Sequence, residues 1–457
     1  MLRHYERSAL YTVALLVLAS TASSCVTDPV TGKSRFSLVN WSPEEELELG
    51  KEAAPNVESQ FDAIDPDPEA NRRLGKLIGE MVTYSVRKDD FEFRFKILNS
   101  SIPNAFALPG GFVYITRGLL ELLESEGQFI SVMGHELGHV EHQHSMSNQS
   151  RGRFTGVLTA PFRGVAALTR GLPGGKVVGL AAGVAVAPLA IWGLKYDRGQ
   201  ELEADERGVF FSAEMGYDPR EGMKTFETFE RLEKESGGAS APSWLRTHPL
   251  NDARIGNIEK IIARNYPELL KKPESEFREA SPDFEAVLDR FKQQAPAYAL
   301  YDEAMTFITD PEVTPADFEK AEKNLEKAHV SVPDEPLFLI AKGEAALVKE
   351  HWDLARPYFV SALALYNRLS PSDSHWKAHF YLGVVKLHAK EPQSAIKDLE
   401  AARRLFPLNP SVHFFLGQAY EASGDRDAAR AAYRQTMDLS PPDSETHREA
   451  RVKWRKL

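Results

Sequence analysis

The C-terminal third of this 457-residue chain is built from an internal repeat, and this feature constrains its fold most strongly. The last copy carries, at fixed positions, Leu416, Gly417, Tyr420, Ala429, Tyr433 and Pro441. The copy 34 residues earlier carries Leu382, Gly383, Ala395, Leu399, Ala402 and Pro407. A period of this length, with small and apolar residues at fixed positions, predicts helix pairs that stack on one another.

Two earlier copies keep the same register. Ala355, Phe359 and Ala362 form one, and its offset of 40 residues to the next copy is absorbed by the extra loop "SPSDSH". Ala321, Leu325, Ala328 and Pro333 form the other. The positions match the tetratricopeptide pattern, so residues 297–457 are predicted to be an all-α solenoid of about four repeats, with a non-repetitive helical bundle as the alternative. The concave face of such a solenoid usually binds protein segments, which predicts a protein partner.

The charge balance argues against nucleic acid as a partner. The formal net charge is -11, and the sequence contains no long run of Lys and Arg. Without a basic surface the phosphate backbone has little to bind to. Proteins or peptides are therefore the expected binding partners.

The N-terminus has the layout of a secretory signal peptide, residues 1–25. Arg3 and Arg7 precede the apolar stretch Leu10–Ala19, and small residues lead into Cys25, the only cysteine of the chain. An ordinary signal peptide that is cut nearby and an uncleaved anchor are alternatives. The segment resembles a bacterial lipoprotein signal, which implies a lipid on Cys25. Val26 after it resembles the pattern that sorts lipoproteins to the outer membrane, facing the periplasm.

The region that follows predicts an α+β domain, mainly helical, over residues 26–270. Apolar and polar residues alternate in Phe91–Ile97, which predicts a half-buried strand, and Gly111–Thr116 predicts a second one. The pattern becomes helical from Gly118 to His144. Residues 271–296 begin with a charged, proline-punctuated stretch and are predicted to be a linker.

The motif "HELGH" points to a metal site. His135 and His139 stand four residues apart, so both can face one ion from a single helix. Glu136 lies close to the same face, within reach of a water on the metal. His142 lies too far along a straight helix to join the same ion and is expected at the surface or behind a ligand. His144 points away from His135, which predicts a packing or hydrogen-bonding role behind the site.

A catalytic zinc site needs a third protein ligand, and "QELEAD" provides candidates. Glu201 and Asp205 again stand four residues apart on a predicted helix. One of them can bind the metal while the other accepts a hydrogen bond from a ligand histidine. Glu203 faces the other way and is expected to be a solvated charge.

Four motifs that follow one another along the chain carry a family resemblance. They are "NAFALPGG" (104–111), "HELGHV" (135–140), "ELEADERG" (201–208) and "THPLNDARI" (247–255). They resemble the gluzincin peptidases of the HtpX and CAAX prenyl protease family, in particular its lipoprotein branch with C-terminal tetratricopeptide repeats. The resemblance implies a zincin-like metallopeptidase domain that holds one zinc ion per chain.

The resemblance also implies roles for individual residues. His135, His139 and Glu201 would bind zinc, Glu136 would be the general base, and Asp205 would orient a ligand. His248 would lie near the metal, either stabilising the transition state or acting as a fourth ligand that keeps the enzyme latent. A plain loop histidine, with Arg254 in an ordinary ion pair, is the alternative. The strand residues Asn104, Ala105, Phe106 and Ala107 would pair with an extended substrate, unless they form only the edge of a hairpin.

An uncharged stretch, Val177–Leu194, lies between the two metal motifs. It is predicted to be a helical hairpin that covers the site or touches the membrane, and a buried core helix is the alternative.

The sequence thus predicts a periplasmic, membrane-tethered zinc endopeptidase that cuts misfolded or unassembled envelope proteins. A chaperone or assembly scaffold with secondary or latent proteolysis is the competing hypothesis.

Overall fold

The computed structural model of the chain describes residues 24–37, 41–61, 67–147, 196–235, 244, 248, 252–310, 312–369 and 375–457. The signal peptide up to residue 23 and the segment 177–194 lie outside these residues, so the interpretations given for them stay predictions. Within the described ranges, no helix has both the length and the apolar character that a membrane crossing requires.

The chain before residue 270 combines small sheets with helices, which confirms the predicted α+β class. Its strands are β1 (Ser24–Thr27), β2 (Ser34–Ser37), β3 (Arg94–Leu98), β4 (Ala105–Leu108) and β5 (Phe112–Thr116). Its helices are α1 (Pro43–Gln60), α2 (Pro68–Val82), α3 (Arg117–Leu120), α4 (Glu126–Glu141), α5 (His144–Ser147), α6 (Arg198–Glu214), α7 (Glu221–Glu235) and α8 (Asp252–Asn265).

The three-stranded sheet has the order β3-β5-β4. β3 runs parallel to β5, while β4 runs antiparallel to it with Phe106 opposite Tyr114. The strand predicted from Phe91 begins only at Arg94, whose N–H donates to the carbonyl of Gly111. The order leaves β4, the strand of "NAFAL", at one edge of the sheet.

Helices α4 and α6 pack unusually closely because glycines stand at their contact. A Cβ added at Gly138 would lie 2.9 Å from Arg207 Cβ and 3.0 Å from Ala204 Cα. A Cβ at Gly208 would lie 3.0 Å from the carbonyl oxygen of Ser131. The ends of α4 are set by Ser125, whose hydroxyl accepts from Gln128 N–H, and by Gln143, whose φ of 54° turns the chain. This close approach brings "HELGH" and "ELEAD" together.

The C-terminal part consists of paired helices, which confirms the predicted repeat fold. The helices are α9 (Pro282–Ile308), α10 (Pro315–Ser331), α11 (Pro336–Val348), α12 (Trp352–Leu369), α13 (Trp376–His388), α14 (Pro392–Leu405), α15 (Pro410–Ser423), α16 (Arg426–Leu439) and α17 (Glu445–Lys456). The repeated alanines Ala321, Ala355, Ala395 and Ala429 have no exposed surface. They let each helix approach its neighbour, as the pattern requires.

Residues 271–296 were predicted to be a linker, but from residue 282 they belong to helix α9. It covers residues 282–308, and its first part places Phe284, Val287, Leu288 and Phe291 in the core of the peptidase half. After Pro296, Tyr298 and Tyr301 belong to the core of the repeats. The apolar residues at 284, 287, 288 and 291 recur at helical spacing, and this signal outweighs the charge and proline around them. One helix is therefore shared by two cores.

Further contacts join the two halves. Trp376 Nε1 donates to the carbonyl of Ser59 at 3.1 Å, and the Ser59 hydroxyl donates to the carbonyl of Leu405 at 2.8 Å. The buried carboxylate of Glu335 accepts from Asn99 Nδ2 at 3.2 Å and from the Tyr298 hydroxyl. The repeats therefore pack against α1 and the sheet end rather than extending away from them.

Candidate metal centre

His135 and His139 face one point from helix α4. Their Nε2 atoms are 3.1 Å apart, and the two rings are 3 % and 1 % exposed. Two imidazoles bound to one ion at about 2.0–2.1 Å, with tetrahedral angles, would hold their nitrogens about 3.3 Å apart. The observed separation therefore fits a shared metal.

Glu201 and His248 complete this cluster. The Glu201 carboxylate lies 3.6 Å from His135 Nε2 and 3.7 Å from His139 Nε2. His248 Nδ1 lies 3.3 Å from His135 Nε2 and 3.0 Å from Glu201 Oε1. One ligand atom from each of the four residues fits within 4.8 Å of the others. Two imidazoles and a carboxylate are the donor set of many catalytic zinc sites.

Glu201 and Asp205 have different positions, although their spacing alone left their roles interchangeable. The Asp205 carboxylate accepts from His135 Nδ1 at 2.9 Å, on the far side of the ring from the cluster. Arg254 Nε donates to the other oxygen of Asp205 at 2.9 Å, and Arg254 Nη1 lies 2.8 Å from Glu201 Oε2. The geometry thus turns Glu201 toward the Nε2 atoms and leaves Asp205 to fix the tautomer of His135.

The buried ionisable groups around this cluster include three acidic side chains and one guanidinium. Burial raises the pKa of Glu136 well above its usual range, and the Glu201 carboxylate adds to the rise. Burial also raises the pKa of Glu201. Burial would raise the pKa of Asp205 too, but the charge of Arg254 and hydrogen bonds from His135 and Arg254 bring it to about 2. Three carboxylates around one guanidinium make a site that a divalent cation would stabilise.

Among the described residues, only one of the two carboxylate oxygens of Glu136 has a hydrogen-bond donor. Oε1 accepts a hydrogen bond from Trp244 Nε1 at 3.0 Å. Oε2 is buried and accepts none from the residues that the structure describes. A buried acceptor without a donor is costly, so this oxygen is expected to face a water or a substrate proton.

His248 is held against the cluster by Trp244. The two rings stack with centroids 4.7 Å apart, and His248 N–H donates to the carbonyl of Trp244 at 2.8 Å. Burial and the nearby Arg254 lower the pKa of His248 well below its usual range, which favours the neutral ring. A neutral ring at this distance can act as a ligand, and it can also donate one hydrogen bond.

Two aromatic side chains at the site were not anticipated from the sequence. Trp244 holds Glu136, and Tyr196 stacks on His139 with ring centroids 3.7 Å apart. Trp244 stands four residues before His248, which is its only sequence signal. Tyr196 lies just before α6, two residues ahead of Arg198, and no motif marks it.

Of the two positions expected for His142, the one at the surface was wrong, and so was the expectation of a solvated charge for Glu203. His142 is 5 % exposed rather than superficial, and its Nδ1 lies 2.8 Å from Asp28 Oδ2 because β1 and its turn cover this end of α4. Glu203 is not simply solvated, since its Oε2 lies 3.1 Å from His144 Nε2. His144 lies behind the site, with Nδ1 2.8 Å from His139 Nδ1.

Strand β4, which begins after Asn104, packs against helix α4, which carries the HExxH motif. The carbonyl of Asn104 accepts from Thr116 N–H at 2.9 Å, which makes this a hydrogen-bonded pair of the antiparallel ladder. By alternation, the N–H and C=O groups of Ala105 and Ala107 point to the outer side of the sheet edge. Trp244 N–H reaches the carbonyl of Pro103 at 3.3 Å, just before the strand. The backbone of Trp244 therefore lies next to the residues that precede β4.

Cys25 lies in β1, with its Cα opposite Phe36. Its lipidation stays a prediction.

The fold and the cluster define a class, namely an HExxH metallopeptidase domain joined to helical repeats. Comparison with known proteins gives the family. Residues 68–262 match Peptidase family M48, and residues 340–399 and 391–444 match a tetratricopeptide repeat. The chain therefore carries a peptidase family M48 domain followed by tetratricopeptide repeats, as its motifs predicted.

Three relatives illustrate how far the similarity extends. A putative beta-barrel assembly-enhancing protease of Vibrio cholerae is 33% identical over 237 residues, which cover 49% of this chain and 47% of the relative. The Yersinia pestis beta-barrel assembly-enhancing protease is 24% identical, covering 76% of this chain and 72% of the relative. Mitochondrial metalloendopeptidase OMA1 of Saccharomyces cerevisiae is 25% identical, covering 52% of this chain and 68% of the relative. The chain thus matches about half the length of the Vibrio relative.

Proposed function

We propose that this protein is a zinc metalloendopeptidase of the bacterial periplasm, tethered to the outer membrane by a lipid on Cys25. It would hydrolyse peptide bonds of misfolded or unassembled envelope proteins, which the repeat domain recognises. The observation that carries the proposal is the convergence of His135, His139 and Glu201 beside the unengaged oxygen of Glu136. The names of the relatives, which are proteases that enhance β-barrel assembly, support the substrate class.

His135, His139 and Glu201 would hold one zinc ion, which would polarise the substrate carbonyl and lower the pKa of a water. Glu136 Oε2 would take the proton of that water and pass it to the leaving amine. Trp244 fixes the other oxygen of Glu136, so the base keeps its orientation during this transfer. Asp205 and Arg254 hold His135 from behind and keep its Nε2 directed inward.

An extended substrate would bind along β4. Ala105 and Ala107 are buried in this conformation, so the edge would have to be uncovered before their outward groups pair with a peptide backbone as a further strand, independently of the substrate sequence. This mode suits unfolded chains, because their backbone groups are not yet paired. Asn104 and Phe106 would keep the strand in place through their pairing with β5.

The closed form of the site favours a second hypothesis. Glu136 has no exposed surface, and Trp244, which donates to it, stacks on His248. In this conformation the protein would bind clients through its repeats without cutting them. An assembly scaffold or chaperone with latent proteolysis would use the same structure.

The first experiment compares the wild-type protein with Glu136→Gln. Both are expected to bind about one zinc per chain, while Glu136→Gln should cleave an unfolded protein substrate at least about 100-fold more slowly. Glu201→Gln is the matched variant that should lose zinc. Cleavage by Glu136→Gln at the wild-type rate would refute the role of Glu136, and growth defects rescued by that variant would favour the scaffold.

His248→Ala separates the two roles of His248. Faster cleavage than wild type would identify a fourth ligand that keeps the enzyme latent. Slower cleavage with unchanged zinc content would identify a stabiliser of the transition state.

A further inference from the structure

Both histidines of the HExxH motif are engaged from behind through Nδ1. Asp205 accepts from His135 Nδ1 at 2.9 Å. For His139 the corresponding neighbour is a third histidine, since His144 Nδ1 lies 2.8 Å from His139 Nδ1. On its other side, His144 Nε2 lies 3.1 Å from Glu203 Oε2. His139 and His144 are 1 % and 0 % exposed, so the contact between them is buried, whereas the contact with Glu203 is partly buried.

The positions of the protons follow from the chemistry of neutral imidazole, which carries one N–H and one lone pair. A histidine that offers the Nε2 lone pair to a metal carries its proton on Nδ1. His139 Nδ1–H then donates to His144 Nδ1, and His144 must carry its own proton on Nε2. That proton points at Glu203 Oε2. Each link therefore has one direction, from His139 through His144 to the carboxylate.

We propose that Glu203 and His144 form a positioning chain for His139. The chain fixes the tautomer and ring orientation of His139, as Asp205 does for His135, and so stabilises bound metal. This inference rests on the proposed metal centre. It gives each of the three acidic residues of "ELEAD" a role. Glu201 would face the metal, Asp205 would orient His135, and Glu203 would orient His139 through His144.

The backbone explains why this arrangement is not visible in the helical spacing. Helix α4 ends at Glu141, and Gln143 adopts a φ of 54°. That turn folds α5 back, so His144 lies under His139 instead of continuing along the helix. The His144 ring is also stacked on His142 with an angle of 7° between planes, and Asp28 holds His142 in turn at 2.8 Å. The position of His144 is thus fixed from two sides.

A second metal ion at this place is the alternative. His142, His144 and Glu203 each offer one ligand atom within 4.8 Å of the others. The proton count argues against it, because His144 uses its Nδ1 lone pair to accept from His139. A metal on Nε2 would leave the His144 ring without any N–H, as an imidazolate. The positioning chain requires no such deprotonation.

The test measures zinc affinity by chelator competition and records the visible spectrum of the cobalt-substituted protein. His144→Phe keeps a ring but has no acceptor, and about 10- to 100-fold weaker zinc binding is expected. His144→Asn keeps an acceptor atom attached at Cγ, as Nδ1 is, and should restore affinity to within about 3-fold of wild type. Glu203→Ala should bind about 3- to 10-fold more weakly. Glu206→Ala, on the same helix but paired with Arg264 at the surface, is the matched control and should bind as wild type.

The outcomes separate this inference from the function on which it rests. No zinc in the wild-type protein would overturn the metal centre itself. One zinc in the wild type, with unchanged affinity and cobalt spectrum in His144→Phe and Glu203→Ala, would overturn only the positioning chain. Two zinc ions per chain, one of which is lost in both His142→Ala and Glu203→Ala, would replace the chain by a second metal site. If the metal-free His144→Phe protein melts early, His144→Asn and Glu203→Ala decide the question.

Discussion

The peptidase half and the repeat half both use glycines to bring helices close together, but the results differ. In both, a glycine lets two helices touch: Gly138 against Ala204 and Arg207 in the peptidase half, and Gly383 against Leu399 in the repeats. In the peptidase half the contact brings buried His, Glu and Asp side chains together. In the repeats it closes an apolar core. Close helix packing therefore supports a reactive cluster in one half and only stability in the other.

The largest effect on stability is expected from truncating the chain between the two halves. A chain that ends at residue 270 keeps all four motifs but loses Phe284, Val287, Leu288 and Phe291 from its core. Burying four such side chains is worth about 6–12 kcal/mol, which is comparable to the whole stability of a typical domain. We therefore expect the chain that ends at 270 to be unfolded by circular dichroism, while one that ends at residue 310 folds. Equal melting temperatures of the two would show that α9 belongs to the repeats alone.

Arg254 tests how strongly the peptidase half depends on its buried charges. Arg254→Ala leaves Asp205 and Glu201 buried without their guanidinium, and a loss of about 3–5 kcal/mol is expected in urea unfolding.

Its matched control is Arg264→Ala on the same helix, α8. Arg264 pairs with Glu206 at 2.7 Å, but both side chains are about half exposed, so a change of about 0–1 kcal/mol is expected. Similar losses in the two variants would mean that the buried cluster tolerates an unpaired charge.

Asp28 makes the stability of the peptidase half depend on pH. Burial opposes ionisation of this carboxyl, but hydrogen bonds from His142 and Thr31 hold its pKa below the usual range. A group with a lowered folded pKa contributes stability above its unfolded pKa, about 3.9, and loses that contribution as pH falls through the folded value. Asp28→Asn should cost about 1.5–3 kcal/mol at pH 7 and at pH 5, and progressively less below pH 4.

Guanidinium unfolding at these pH values measures that difference. A cost that stays constant down to pH 2.5 would show that the charge of Asp28 is not what stabilises the contact with His142.

The smallest effects come from the glycines themselves. Gly383→Ala would place a Cβ 2.6 Å from Leu399 Cγ, and Gly138→Ala one 2.9 Å from Arg207 Cβ. Each should cost about 1–3 kcal/mol, but only Gly138→Ala should also weaken zinc binding.

Gly79→Ala in α2 is the control, because a Cβ there meets nothing within 4 Å, and it should stabilise the protein by about 0.5–1 kcal/mol. Weakened zinc binding in Gly383→Ala would mean that the two halves communicate through more than their shared helix.

Most of the fold could be predicted from periodic signals in the sequence. The 34-residue spacing predicts the paired helices, and the spacing of four predicts that His135 and His139 share one face of a helix. Both signals are local, since they depend only on the geometry of a helix. The shared helix α9 was missed because charge and proline at residues 271–283 outweighed the four apolar positions after them.

The rest of the site depends on contacts between residues that are distant in the sequence. Trp244 meets Glu136 across 108 positions, and His142 meets Asp28 across 114. No spacing rule reaches so far, so neither pair has a sequence signature. His144 does lie behind the site, as expected, but its contact with His139 depends on the left-handed residue Gln143, which ends the helix on which the direction of His144 was projected.

The contact between Asp28 and His142 also limits the distance between Cys25 and the C-terminal end of α4. Asp28 is the third residue after Cys25, and a chain of that length reaches on the order of 10–15 Å even when extended. With a lipid at Cys25, the C-terminal end of α4 would stay within that distance of the bilayer. The enzyme would then act only in a thin layer beside the membrane and not in the whole compartment. Whether a client protein is cut would depend on how long it stays in that layer.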